Sequence, residues 1–424
     1  MRPSPISHLP TNSVHLKMHR SLLTIIGTCL FAQLFAGGFQ VNAQGQRQLG
    51  MGHTGTGLMH NDATYLFFNP GAGIYIDRRV TVTAGLSLLK PRTVYLEPAP
   101  GQYTAEMVHN TGTPFELYAS FRTGNFAFGV AAYTPFGSRA QYPDDWKGQF
   151  LIREIDLKTI CIQPTVTYKV GDYIGIGAGF VYATGGFTLR KGVPTQDQSQ
   201  EYGEGNLDGS ASGIGYNIGL YIRASEVWSA GFSYRSSIKV KVENGSAVFT
   251  VPSSLADYFP TTTFNTELKL PSVMNAGIGF STGLWKVAAD FNYVTWSSYD
   301  TLRIDFADNT DKLKDIASPR MYENTWIARA GVQWQPVGRF YFRLGAYFDR
   351  SPVKDGYLTP ETPDANRIGI TAGSTIVLGQ NLNLDLSFLF VEGMKRTDTN
   401  LETQFSGTYK SRLLAPGFGI TYQF

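Results

Sequence analysis

From residue 79 to its last residue the chain alternates apolar and polar side chains with a period of two. Few folds accommodate that pattern over runs this long. Near the end, Leu414, Pro416, Phe418, Ile420, Tyr422 and Phe424 share one face, opposite Ala415, Gly417, Gly419, Thr421 and Gln423. Leu382, Leu384, Leu386, Phe388 and Phe390 stand opposite Asn383, Asp385 and Ser387 in the same way. About fourteen such runs begin near residues 79, 113, 125, 154, 172, 211, 226, 261, 284, 322, 339, 365, 381 and 411. At roughly 10 to 14 residues they exceed the usual five or six and approach the tilted span of a bilayer.

A soluble sandwich alternates too, so the choice rests on the polar faces. Asp290, Arg329, Arg343 and Asp385 fall in mid-run, as suits a wet lumen rather than a dry core. Closing the sheet removes its edges and satisfies every backbone group, which lipid requires. The expected fold class is all-β: a fourteen-stranded antiparallel transmembrane β-barrel. Trp285, Tyr293, Trp326, Trp334 and Tyr422 sit near strand ends, where an interfacial belt is expected. The polar inserts 191–210, 297–321 and 351–364 read as external loops. A chain of 424 residues with only 16% charged residues, 13% aromatics and 46 glycines fits this class. Past residue 40, no apolar stretch is long enough for a spanning helix.

The amino terminus differs. Lys17 and Arg20 precede SLLTIIGTCLFAQLFA, an uncharged apolar run ending in small residues. It reads as a secretory signal, with cleavage expected near Ala36 or alternatively Ala43, and Met18 as a candidate start. Removing residues 1–36 takes away Arg2, Lys17 and Arg20 and no acid, which brings the formal charge from +3 to zero. Nothing in that balance points to nucleic acid. Only Cys161 then remains, so no internal disulfide is expected.

Little in the chain points to catalysis. Gly50, Gly52 and Gly55 form G-x-G-x-x-G, but neither a preceding strand nor a following helix is predicted to aim amides at a phosphate. Backbone packed in a crowded interior is the expected role of these glycines. All six histidines precede residue 110, so the strands lack the base of a barrel hydrolase. His53, His60 and Asp62 match no metal-ligand spacing. No enzyme activity, cofactor or metal is expected.

The segment GGFQVNAQGQRQLGMGHTGTGLMHNDATYLFFNPGAG resembles the amino-terminal hatch of the FadL/TodX family of outer-membrane transporters for hydrophobic compounds. YTPFG (133–137), DDWKG (144–148), QPTVTYKVGDYIGIGAGFVY (163–182), LPSVMNAGIGF (270–280), WKVAADFNYVTWSSY (285–299) and RLGAYFDRSPVKD (343–355) follow in the family's order. PDANRIGITAG (363–373) and the terminal APGFGITYQF complete the set. The resemblance implies a hatch at 37–78 plugging a barrel at 79–424, in the outer membrane of a Gram-negative bacterium. It implies passive uptake of a long-chain fatty acid or another hydrophobic small molecule through an apolar lumen pocket. The hatch would then shift to release the ligand, in part sideways through a gap in the wall.

Asn69, Pro70 and Gly71 would set the hatch, although Gly71 intervenes where the family carries Asn-Pro-Ala. Phe39, Phe67, Phe68 and Arg343 are the candidate pocket residues. Expected partners are outer-membrane lipid and the barrel-assembly machinery, the latter through the terminal strand ending in Phe424, and the chain is expected to act as a monomer. Two other readings remain open at this stage: a porin for small polar solutes, and a surface adhesin or receptor.

Overall fold

The computed structural model describes residues 38–196 and 201–424. The expected signal segment lies outside these residues. Among the described residues, twenty-two strands form one sheet. Fourteen of them close a ring in which every pairing is antiparallel. The first ring strand, Val80–Ser87, pairs with the last, Ser406–Gln423, in the register Thr81↔Gln423 to Ser87↔Gly417. Val80 and Phe424 exchange both backbone hydrogen bonds, at 2.8 and 3.0 Å, so the terminal residue completes the closure.

At the level of the belt the outward face is the apolar one. In Glu154–Val170, Ile162, Val166 and Tyr168 are exposed, while Gln163, Thr165 and Thr167 are buried. In the last strand Phe418, Ile420 and Tyr422 are exposed, and Thr421 and Gln423 are buried. Exposed aliphatic and aromatic side chains over this face are what lipid would cover. Trp285 stacks on Trp334 at 5.9 Å near one rim, and Tyr293 pairs with Trp326 across the same two strands near the other. From Trp285 to Tyr293 the strand runs about 26 Å at 3.3 Å per residue, comparable with an apolar band of about 25 Å before tilt is allowed for.

Predicted strand starts at 125, 154, 284, 339 and 381 fall within one residue of observed starts at Phe126, Glu154, Trp285, Phe340 and Leu382. Two of the expected loops are corrected. Residues 191–196 and 202–210 belong to strands Ile174–Gln196 and Tyr202–Ile222, and 297–321 contains strands Thr301–Phe306 and Ile316–Pro319. Alternation continues past the level of the apolar belt there, with polar residues on the outward side, and polarity alone read as loop. Strands of 23 and 21 residues stand well beyond the 9 to 11 that a bilayer needs.

The N-terminal segment supplies the other half of the fold. Residues 38–74 are buried almost without exception, and their contacts run round the inner face of the ring. Close approach depends on glycine on both sides. Gly57 lies against Gly277, Gly52 against Gly345, Gly50 against Gly373, and Gly71 against Gly175 and Gly219. The glycines of G-x-G-x-x-G therefore serve packing. A Cβ on Gly71 would meet the Gly175 and Gly219 carbonyls and the Tyr221 amide, which accounts for the residue placed between Pro70 and Ala72. Gly71→Ala is expected to destabilise docking of the segment by about 1–3 kcal/mol through overpacking against rigid backbone. Faster amide exchange across residues 65–75, with the barrel strands unchanged, would report it; unaltered protection there would refute it.

Candidate ligand site in the barrel interior

The candidate site begins at YLFFNP. Tyr65–Phe68 makes one helical turn, and Asn69, in extended conformation, ends it. Proline at 70 has no N–H to donate to the Leu66 carbonyl four residues back. The wall supplies the missing donors. Gln163 Nε2 donates to Leu66 O at 2.6 Å, Arg235 Nη2 to Phe67 O at 2.9 Å, and Ser233 Oγ to Phe68 O at 2.8 Å. Asn69 is fully buried and binds three ways. Its Oδ1 accepts from Gly71 N, opening the 3-10 turn Pro70–Tyr75, and its Nδ2 donates to Thr56 O and to Leu220 O of the wall, each at 3.0 Å. Asn69, Pro70 and Gly71 thus join the segment to itself and to the barrel.

Three of the four mid-strand charges, Asp290, Arg329 and Asp385, meet this segment. Asp290 Oδ2 accepts from Gly55 N and Thr56 N at 2.8 Å each, and Oδ1 from Gly57 N at 3.4 Å. Arg47 reaches Asp385 at 3.0 Å. Arg329 donates to Asn42 Oδ1 at 2.9 Å. Arg343, a candidate for the ligand side, donates to Gln333 and Thr375 and lines neither of the cavities described below.

At residues 134–136 the third ring strand, Phe126–Tyr133, leaves its ladder. Its pairing with Phe115–Thr123 stops at Glu116↔Tyr133, while pairing on the other side resumes at Gly137↔Lys158. The N-terminal segment takes up the exposed backbone. Val41 N donates to Pro135 O at 2.9 Å, and Gly137 N to Phe39 O at 2.8 Å. Phe39 is held edge-on by Trp296 at 4.6 Å and Tyr299 at 5.4 Å. With Leu157, Phe187, Val240, Leu268 and Leu302 it lines an apolar pocket, whose hydroxyls come only from Ser138, Thr266, Thr362 and Tyr299. Such a lining favours a ligand that gains by leaving water.

A second, polar cavity borders Gln40, Asn42, His53, Phe67, Phe68, Arg235 and Arg329 among others. Burial, then the neighbouring Arg329 charge, holds the His53 imidazole well below its ordinary pKa and therefore neutral. The Arg235 guanidinium lies 4.1 Å over the Phe67 ring. Arg235 was not singled out in the sequence, yet its strand carries the signal. Trp228 and Phe232 face out, so Ser229, Gly231, Ser233 and Arg235 share the inward face. Among the described residues, no group of three His, Cys, Asp or Glu side chains is arranged to hold a metal.

A closed antiparallel barrel with an apolar exterior and a buried inner segment is the architecture of an outer-membrane β-barrel. Residues 27–424 match the family described as outer membrane protein transport protein (OMPP1/FadL/TodX), and the chain belongs to that family. It is 21% identical to the long-chain fatty acid transport protein of Salmonella typhi, over 95% of this chain and 98% of that one. Outer membrane protein P1 of Haemophilus influenzae is also 21% identical, over 89% and 91% of the two chains. The fold is similar to that of a Pseudomonas aeruginosa FadL homologue, with TM-score 0.79 at 18% identity over 91% and 100% of the chains. It is similar too to the Ralstonia pickettii toluene transporter TbuX, with TM-score 0.68 at 17% identity over 90% and 99%. Members of the family are transport proteins of the outer membrane and not enzymes.

Proposed function

We propose that this chain takes up a long-chain fatty acid or a similar hydrophobic compound passively, and that residues 38–78 act as a hatch within the barrel. The observation that carries this reading is the apolar pocket at Phe39, one wall of which belongs to the segment that must move. Movement of that segment would change the pocket and the ladder break at 134–136 together, since Phe39 and Val41 hold both. The break is the candidate lateral exit. Closure of the ring within one chain supports a monomer, and the Val80–Phe424 closure would be completed by the assembly machinery in surrounding lipid.

Ala211 lines the pocket and is buried, so Ala211→Trp should fill it while leaving the exterior unchanged. Uptake of radiolabelled long-chain fatty acid by cells lacking other transporters is expected to fall about tenfold or more with this variant. Undiminished uptake at equal surface abundance would count against the pocket.

A further inference from the structure

The outer wall carries its charge unevenly, and one row of it is left positive. Beyond Ser87 the first strand of the ring runs on as Lys90–Leu96 and still pairs with the last, in the register Lys90↔Leu414 to Leu96↔Thr408. Leu382–Gly393 flanks the last strand on its other side. Outward side chains on these strands are apolar up to Phe418, Phe388 and Leu414, all of them exposed. Immediately beyond stand Lys90, Arg92, Arg412 and Lys410, exposed as well. This end is the external one, because two-residue turns at 124–125 and 283–284 close the opposite end, as periplasmic turns do.

Four cations there meet two carboxylates. Arg92 pairs with Glu106, while Glu392 serves both Arg412, at 2.6 Å, and Lys410, at 3.3 Å. Lys90 forms no ion pair among the described residues. Arg92 and Arg412 stand directly opposite each other across the seam, an arrangement in which like charges repel. Both carboxylates lie on the flanking strands, so the middle of the row is left to two guanidiniums. Their side chains are 64% and 55% exposed. The hydrogen bond to Glu392 engages Arg412 through Nε, and both of its Nη groups are free for another acceptor. Elsewhere on the wall the charges match: Arg139, Lys158 and Arg190 are answered by Glu154, Asp156 and Glu204.

We propose that this row docks the phosphate of a phosphorylated acyl lipid in the outer leaflet, with Arg92 and Arg412 as its two arms and Lys90 and Lys410 beside them. A phosphate monoester carries close to two charges and three acceptor oxygens, and so answers two guanidiniums at once. The apolar belt directly beneath selects an anion that brings acyl chains with it, since these cover Phe388, Leu414 and Phe418 while the phosphate meets the row. Arg92 belongs to the first strand of the ring and Arg412 to the last, so a phosphate between them ties together the two ends of the barrel. The site lies on the exterior and does not depend on what passes through the interior.

The full chain in an uncharged detergent would be titrated with diphosphoryl lipid A and with the same lipid stripped of its phosphates. The phosphorylated form is expected to bind about tenfold or more tighter. It should also slow amide exchange in residues 90–96 and 408–414 while leaving 154–158 unchanged. Arg92→Gln and Arg412→Gln should each remove most of the preference, Arg412→Lys should keep part of it, and Lys158→Gln on the matched face should keep all of it. Equal affinity for the two lipids overturns the proposal, as does protection that spreads equally to 154–158. Inorganic phosphate giving the same protection by itself would mark a free-anion site and overturn the lipid as occupant. Should the glutamine variants fail to fold, the two lipids compared on the unaltered chain decide the matter.

Discussion

Deleting residues 38–73 is expected to turn the barrel into an open channel, raising conductance in planar bilayers at least about tenfold. No ring strand is lost, because the ring begins at Val80 and closes onto Phe424. What disappears is the segment whose backbone packs on Gly277, Gly345, Gly373 and Gly219. The inward side chains left behind, such as Gln163, Asp290, Arg329 and Thr421, are polar and would wet. A fourteen-strand ring lies between the small filled barrels and the porins in width, so an aqueous path should result. The full-length protein should show only rare, small steps. Equal conductance with and without the segment would refute the assignment of a hatch, and a large ohmic current from the intact chain would favour the porin reading.

Asp290→Ala should give the largest effect of any single substitution on docking of the segment. Two buried 2.8 Å hydrogen bonds from Gly55 N and Thr56 N would lose their acceptor, and the longer bond from Gly57 would follow. Each buried donor left unsatisfied costs about 1–3 kcal/mol, so the docked state is expected to weaken by roughly 2–6 kcal/mol. Asp290→Asn keeps one acceptor oxygen and should weaken it by about half as much. Hydrogen exchange localises the result: amides 50–60 should lose protection in the order Ala, Asn, wild type. Retained protection in Asp290→Ala would show that the carboxylate is dispensable. Loss of protection in the strands as well would mean that the barrel, not the segment, had been disturbed.

Some of this was legible in the residues. Outward positions such as Ile162, Phe388 and Phe418 follow from parity alone, because a strand turns successive side chains to opposite faces whatever lies beside it. The inward placement of Arg235 follows from the same parity, at the end of its strand. The outer extensions differ from the expected loops because their apolar parity is turned inward: Leu302, Ile304 and Phe306 are buried while Arg303 and Asp305 face out. Gly71 was beyond reach. Its reason is the backbone of Gly175 and Gly219, more than a hundred residues away.

The sequence by itself determined the class of barrel, the strands and the sides they present, because alternation and strand length are local properties that lipid selects directly. Only the tertiary structure decided what the inward charges do. Asp290 reads as a lumen charge until ring closure sets it against Gly55, 235 residues earlier. Arg343 reads as a ligand partner until the wall occupies it with Gln333 and Thr375. The physical reason is the same in each case. Period two tells a residue which way to face, and closure of the ring through hydrogen bonds between distant strands decides what it finds there.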